Sequence, residues 1–156
     1  MACDAIQGGA QVDSISVTGS LEQQPTVSFP SPLSADGVQS RVVIEGDGPV
    51  FTGRNLVDFE FAGYNGGSGQ LIQQTAFDGT EIQSSFFGPD QVPNFCVALA
   101  GAKEGSRIVT ILPPDQAHES QGVPSLGVGP ADAFIFVIDI KSCLLYTSPS
   151  PRDRTR

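Results

Sequence analysis

The stretch QVPNFCVALAGAKEGSRIVTILPP, residues 91–114, decides how this chain is read. Within it, FCVALA at 95–100 is a short apolar run with Pro93-Asn94 ahead of it and Gly101 behind. Proline near a start and glycine past an end punctuate helices, so the run predicts a helix of about two turns. Gly105 then opens a second run, Arg107 to Leu112, in which Ile108, Val109 and Ile111 are β-branched. That composition suits a strand. Pro113-Pro114 ends it, because proline cannot donate to a sheet ladder.

Outside this stretch the chain reads almost entirely as strands and turns. Residues 38–45 form a strand around Val42, Val43 and Ile44, followed by the turn Glu45-Gly46-Asp47-Gly48. A phosphate-cradling glycine loop would need a helix directly after it. Pro49-Val50-Phe51 follows instead. Residues 55–64 alternate, with Val57, Phe59 and Phe61 on one face and Asp58 and Glu60 on the other, a strand with one buried side. Asn65-Gly66-Gly67-Ser68-Gly69 is a loop, and strands follow at 70–75 and 80–87. The segment 115–132 is longer than a connection requires and is rich in glycine and proline, which marks it as a candidate binding loop. Residues 133–141 close the sheet. Residues 1–32 are polar and broken by Pro25, Pro30 and Pro32; they read as a linker with edge-strand pieces near Ile15–Val17 and Val27–Phe29.

At 156 residues there is room for one core, and 18 glycines with 12 prolines suit short strands and many turns. The net charge is −9. Setting aside the last fifteen residues removes three of 8 basic and one of 17 acidic side chains, which leaves a balance of −11. Nucleic-acid binding needs a basic footprint, so that class is excluded; a soluble monomer is expected. Cys3, Cys96 and Cys143 lack metal-ligand spacing and there is a single His, so neither a metal nor a cofactor is expected. Cys96 reads as a small core residue.

The pattern Val92-Pro93-x-Phe95-x-x-Ala98-Leu99-x-Gly101-x-x-x-Gly105-Ser106-Arg107, followed by a strand and Pro-Pro, resembles the FKBP-type peptidyl-prolyl cis-trans isomerases. Phe134-Ile135-Phe136-Val137-Ile138-Asp139-Ile140 resembles the last strand of that fold, and the resemblance spans about residues 41–140. It implies an α+β, FKBP-like fold, a bent antiparallel β-sheet wrapped around one short helix. The expected organisation is an N-terminal linker at 1–36, the FKBP-like domain at 37–141 and a tail at 142–156. That tail concentrates arginine and resembles translated sequencing-adapter read-through; a basic interaction tail is the other reading.

The resemblance also implies a site, with departures. Phe61 stands where the family has a tyrosine, and Ile72-Gln73 where it has Phe-Asp. Val92 holds the position whose backbone N–H receives the substrate carbonyl. Phe95 replaces the tryptophan of the pocket floor. His118-Glu119 replaces a Tyr-Gly pair, Phe136 is retained, and Ile82 is the match for a further pocket aromatic. Val92 and His118 are thus the candidate catalytic groups. Phe61, Ile72, Gln73, Ile82, Phe95 and Phe136 are the candidate substrate contacts, with proline-containing polypeptides as partners. Each of Phe61, Phe95 and Phe136 also fits an ordinary core position, and Gln73 an ordinary strand position. The chemistry asks for little else. The barrier to X-Pro rotation comes from the double-bond character of the amide, and a dry cup with a few donors favours the twisted state.

Two functional readings follow: an isomerase weakened by the pocket changes, acting on exported proteins, or a catalytically degenerate domain that binds proline-containing or unfolded segments. An unrelated all-β binding domain is a third. Met1-Ala2-Cys3-Asp4 resembles the lipidation site of exported bacterial FKBP-type lipoproteins, which makes Cys3 a candidate membrane anchor and the protein extracytoplasmic. An ordinary terminal cysteine is the other reading.

Overall fold

A computed structural model describes residues 8–20, 23–51, 55–87 and 95–145. The elements are α1 (Ala10–Asp13), β1 (Ser16–Thr18), β2 (Thr26–Ser28), β3 (Gln39–Ile44), β4 (Asn55–Asn65), β5 (Leu71–Gln74), β6 (Gln83–Phe87), α2 (Phe95–Leu99), β7 (Arg107–Leu112), α3 (Pro114–Ala117), a 3₁₀ turn (Pro124–Leu126) and β8 (Phe134–Leu145). The main sheet is antiparallel, in the order β3-β7-β8-β4-β5. β6 pairs with the first half of β4 and β5 with the second, so the two short strands share one edge of β4.

The predicted helix and the strand after it form as read. α2 ends where Gly101 takes φ +83°, a conformation that glycine adopts without a Cβ clash. The N–H of Gly101 donates to the carbonyl of Phe51, and the N–H of Phe51 donates to that of Ala102, which ties the helix end to the strand region before β4. All of β7 is buried, since both faces of the sheet are covered. On one face Cys96 and Leu99 of α2 pack with Val57, Phe59, Ile108, Leu112, Phe136, Ile138 and Ile140. On the other, Val109, Ile111, Ile135 and Val137 are covered by Val12 and Ile15. Cys96 is buried as expected, but it is disulfide-bonded rather than a free thiol.

That second covering corrects the reading of the N-terminal residues. Val12 and Ile15 are 0% and 1% exposed, so the segment is not a detached linker. β1 and β2 pair with each other, and Val17, Val27, Phe29 and Leu33 join the same cluster. The polar side chains that made this stretch look like a tether are outward or bonded: Gln39 accepts from the N–H of Val12 and donates to Gln11. At the other end β8 continues to Leu145, pairing Ser142–Leu145 with Asp58–Asn55, so a boundary after Lys141 falls inside a strand.

Asp58 stays partly exposed as expected, but Glu60, on the same face of β4, is covered. Arg107, Asp139 and Glu60 form one row across β7, β8 and β4. The Arg107 guanidinium donates to both carboxylate oxygens of Asp139, at 2.6 and 2.8 Å, and to the carbonyls of Gly19 and Gln23. The buried ring of Phe77 stacks 5.6 Å from it. Glu60 is fully buried beside them, accepting the N–H of Gly79, with the Lys141 ammonium 3.8 Å away.

Candidate functional site

On the α2 side of the sheet, alternation places Phe61 and Gly63 of β4 in line with Phe134 and Phe136 of β8. Gly63 pairs directly with Phe136. A Cβ there would lie 2.8 Å from Cε1 of the Phe136 ring, closer than real contacts allow. The absent side chain lets the Phe136 ring lie directly against the β4 backbone, and the site opens beside that ring. It is a partly enclosed cavity of about 90 Å³ lined by Phe61, Gly63, Ile72, Gln73, Leu126, Phe134 and Phe136.

The aromatic wall is mutually braced. Phe136 meets Phe61 at 6.2 Å, Phe134 at 5.6 Å and Phe95 at 4.9 Å between ring centroids, tilted or edge-on. These are the geometries that ring quadrupoles prefer. Phe95 packs on the Phe136 ring and is not among the lining residues. β5 supplies two consecutive residues, Ile72 and Gln73, which strict alternation would send to opposite faces. The β4–β5 register shifts by one residue here, where Gly63 pairs Gln73 and Tyr64 pairs Leu71, and both Ile72 and Gln73 border the cavity.

The mouth is completed by the loop between α3 and β8. Val123 and Val128 exchange main-chain hydrogen bonds and set the turn that carries Leu126, 47% exposed, over the opening. Asp132 accepts the N–H of Gly129, and Asn65 donates both to it and to the carbonyl of Gly127. His118 is the other brace. The Gly122 N–H donates to Nδ1 at 2.9 Å, so Nε2 carries the proton and donates to the Asp132 carbonyl at 2.7 Å. The ring packs edge-on against Phe134.

The predicted residues therefore divide. Phe61, Ile72, Gln73 and Phe136 come together at the cavity. Phe95 reaches the site through its contact with Phe136. His118 does not face the cavity with a free nitrogen, because both are spent inside the loop; its expected role as a substrate donor is corrected to that of a loop brace. Ile82 is exposed at 43% and is not part of the lining, because it precedes β6 rather than lying within it. Val92 lies outside the described residues. Gly63, Leu126 and Phe134 were not anticipated. The first and last carried a signal: Gly63 is the next member of the Val57-Phe59-Phe61 alternation, and Phe134 lies two residues before Phe136.

Chemically, the cavity is apolar, with Gln73 the one polar residue type in its lining. Its volume is about three times the ~30 Å³ share of a liquid water, far below the roughly 300–1,000 Å³ of drug-sized pockets. It suits one small ring.

No family model matches the chain. A curated protein from Streptomyces anulatus described as an FK506-binding protein is 25% identical over 118 residues, which cover 76% of this chain and 95% of that one. Among solved structures, a peptidyl-prolyl cis-trans isomerase from Pseudomonas syringae pv. tomato aligns with a TM-score of 0.59 and 22% identity, over 71% of this chain and 78% of that one. The N-terminal domain of FKBP42 from Arabidopsis thaliana gives 0.62 and 15%, over 77% and 96%. FkpA from Escherichia coli gives 0.60 and 21%; the alignment covers 72% of this chain and 51% of FkpA. The fold is FKBP-like.

Proposed function

We propose, for a chain with the FKBP-type fold and a sequence similar to an FK506-binding protein, that it is a peptidyl-prolyl cis-trans isomerase acting on X-Pro bonds, weaker than a member with the full pocket pattern. The observation that carries this reading is the ring-sized cavity between Phe61, Ile72 and Phe136. A proline ring seated there leaves water, and its amide enters surroundings that favour the twisted state, which has lost the charge separation of resonance. In this reading the backbone N–H of Val92 receives the substrate carbonyl, and Gln73 replaces a carboxylate as the polar partner. Each lost hydrogen bond is worth about 0.5–1.5 kcal/mol, roughly 2- to 13-fold in rate. Exported proteins are the proposed substrates, with Cys3 as a lipid anchor outside the cytoplasm and the folded part acting as a monomer.

A protease-free isomerisation assay of the full chain on Phe-Pro and Leu-Pro peptides tests it. Weak activity above buffer is expected, raised by Gln73→Asp and abolished by Phe136→Ala, which opens the cup to water. Activity equal to buffer in both the native chain and Gln73→Asp ends the enzyme reading. The engaged nitrogens of His118 favour the second reading, a domain that binds proline-containing or unfolded segments without turning them over. Saturable peptide binding with no catalysis would select it.

A further inference from the structure

We propose that the outer edge of β5 receives the extended polypeptide whose proline occupies the cavity, as an added antiparallel or parallel strand. The inference rests on the reading of the cavity as a proline pocket and adds how the rest of the substrate is held. β5 pairs with β4 on one side, and among the described residues no strand pairs with its other side. The direction of its main-chain groups follows from the register. The Thr75 N–H donates to the Phe61 carbonyl, and main-chain groups alternate along a strand, so those of Gln74 turn away from β4. The N–H and C=O of Gln74 thus lie on the open edge, one residue from Gln73 and two from Ile72, both of which line the cavity.

Sheet edges are ordinarily blunted by charge or proline against strangers. The sequence of β5, Leu-Ile-Gln-Gln, has neither. Its irregularity, the bulge at Ile72, serves the cavity and leaves Gln74 in regular pairing with Ala62. Leu71 and Leu126, each 47% exposed, offer apolar surface at the strand and at the mouth. The partner this fits is an extended segment with apolar residues beside its proline. Proline itself has no N–H, so the ladder contact falls to a neighbouring residue, at about one strand rise of 3.3 Å per position from the ring. Main-chain pairing of this kind supplies affinity with little regard to side chains.

The test is an NMR titration of the full chain with three ligands: acetyl-Phe-Pro-amide, a heptapeptide centred on the same pair, and that heptapeptide N-methylated at the residues flanking the pair. Gln74→Pro is the matching protein variant, tolerated at an edge because the N–H that it removes faces solvent. The expected result is a heptapeptide that binds at least fivefold more tightly than the dipeptide, an advantage lost on N-methylation and in Gln74→Pro while dipeptide affinity is unchanged. Each ladder hydrogen bond accounts for roughly 2- to 13-fold. A dipeptide that binds with no gain from extension, or a gain that survives both N-methylation and Gln74→Pro, overturns the edge proposal and leaves the cavity reading intact. Absence of binding by all three peptides overturns both. Should Gln74→Pro fail to fold, the N-methylated peptide decides the matter on the native chain.

Discussion

Nε2 of His118 lies 2.7 Å from the main-chain oxygen of Asp132, which closes the loop over the cavity from inside. With the Gly122 N–H on Nδ1, the imidazole holds two loop segments together rather than serving a ligand. Replacing it with alanine removes two hydrogen bonds and is expected to lower stability by about 1–3 kcal/mol. Cavity affinity should fall with it, since Leu126 is carried by the same loop. His118→Tyr, which restores the family residue, is expected to behave like alanine, because a phenol cannot occupy both positions. Thermal denaturation and the isomerisation assay check both; a rise in activity for His118→Tyr would show that the side chain at this position does reach the substrate.

The absence of a side chain at Gly63 seats the Phe136 ring at the cavity wall, so Gly63→Ala should disturb that wall. The new methyl would lie 2.8 Å from the Phe136 ring, which would have to shift and so reshape the cavity wall. Overpacking of this kind costs about 1–3 kcal/mol. The functional loss should exceed the stability loss: urea denaturation is expected to show a folded protein at room temperature, with acetyl-Phe-Pro-amide binding reduced tenfold or more. Unchanged binding would mean that the ring is seated elsewhere.

Two ion pairs predict opposite outcomes. Arg107 and Asp139 are both buried, at 0% and 1% side-chain exposure. Asp139→Ala leaves the guanidinium without its carboxylate and is expected to cost about 3–5 kcal/mol. Lys103 and Glu45, 3.3 Å apart with 42% and 66% exposure, lie in solvent. Glu45→Gln should change stability by less than about 1 kcal/mol. Chemical denaturation of the two variants side by side is the measurement, and a larger effect from Glu45→Gln would contradict the burial assigned to the Arg107 row.

Ile15 tests the N-terminal segment. Its side chain is 1% exposed against the back of the sheet. Ile15→Ala should cost about 2–5 kcal/mol if the segment is part of the folded unit. A loss below about 0.5 kcal/mol, the range of surface substitutions, would return the segment to the status of a tether.

The helix at Phe95, the strand Arg107–Leu112 and the β4 alternation were legible because each is a local pattern: punctuation by proline and glycine, β-branching, and a period of two. The order and spacing of those patterns carry the resemblance to the FKBP-type family, and it was that resemblance which implied the fold class and pointed to Phe61, Ile72, Gln73 and Phe136, residues that line the cavity. What the tertiary structure alone decided is non-local. The bulge beside Ile72 and Gln73 exists only in the pairing of β5 with β4. The diversion of His118 depends on Gly122 and Asp132 folding back upon it, which no residue type announces. Glu60 looks solvent-facing by alternation, yet it is buried beside Lys141 and the Arg107–Asp139 pair. The N-terminal segment looked like a tether because it is polar on average; its few apolar side chains, Val12 and Ile15 with Val17, Val27, Phe29 and Leu33 beside them, dock on the sheet face that is there to receive them.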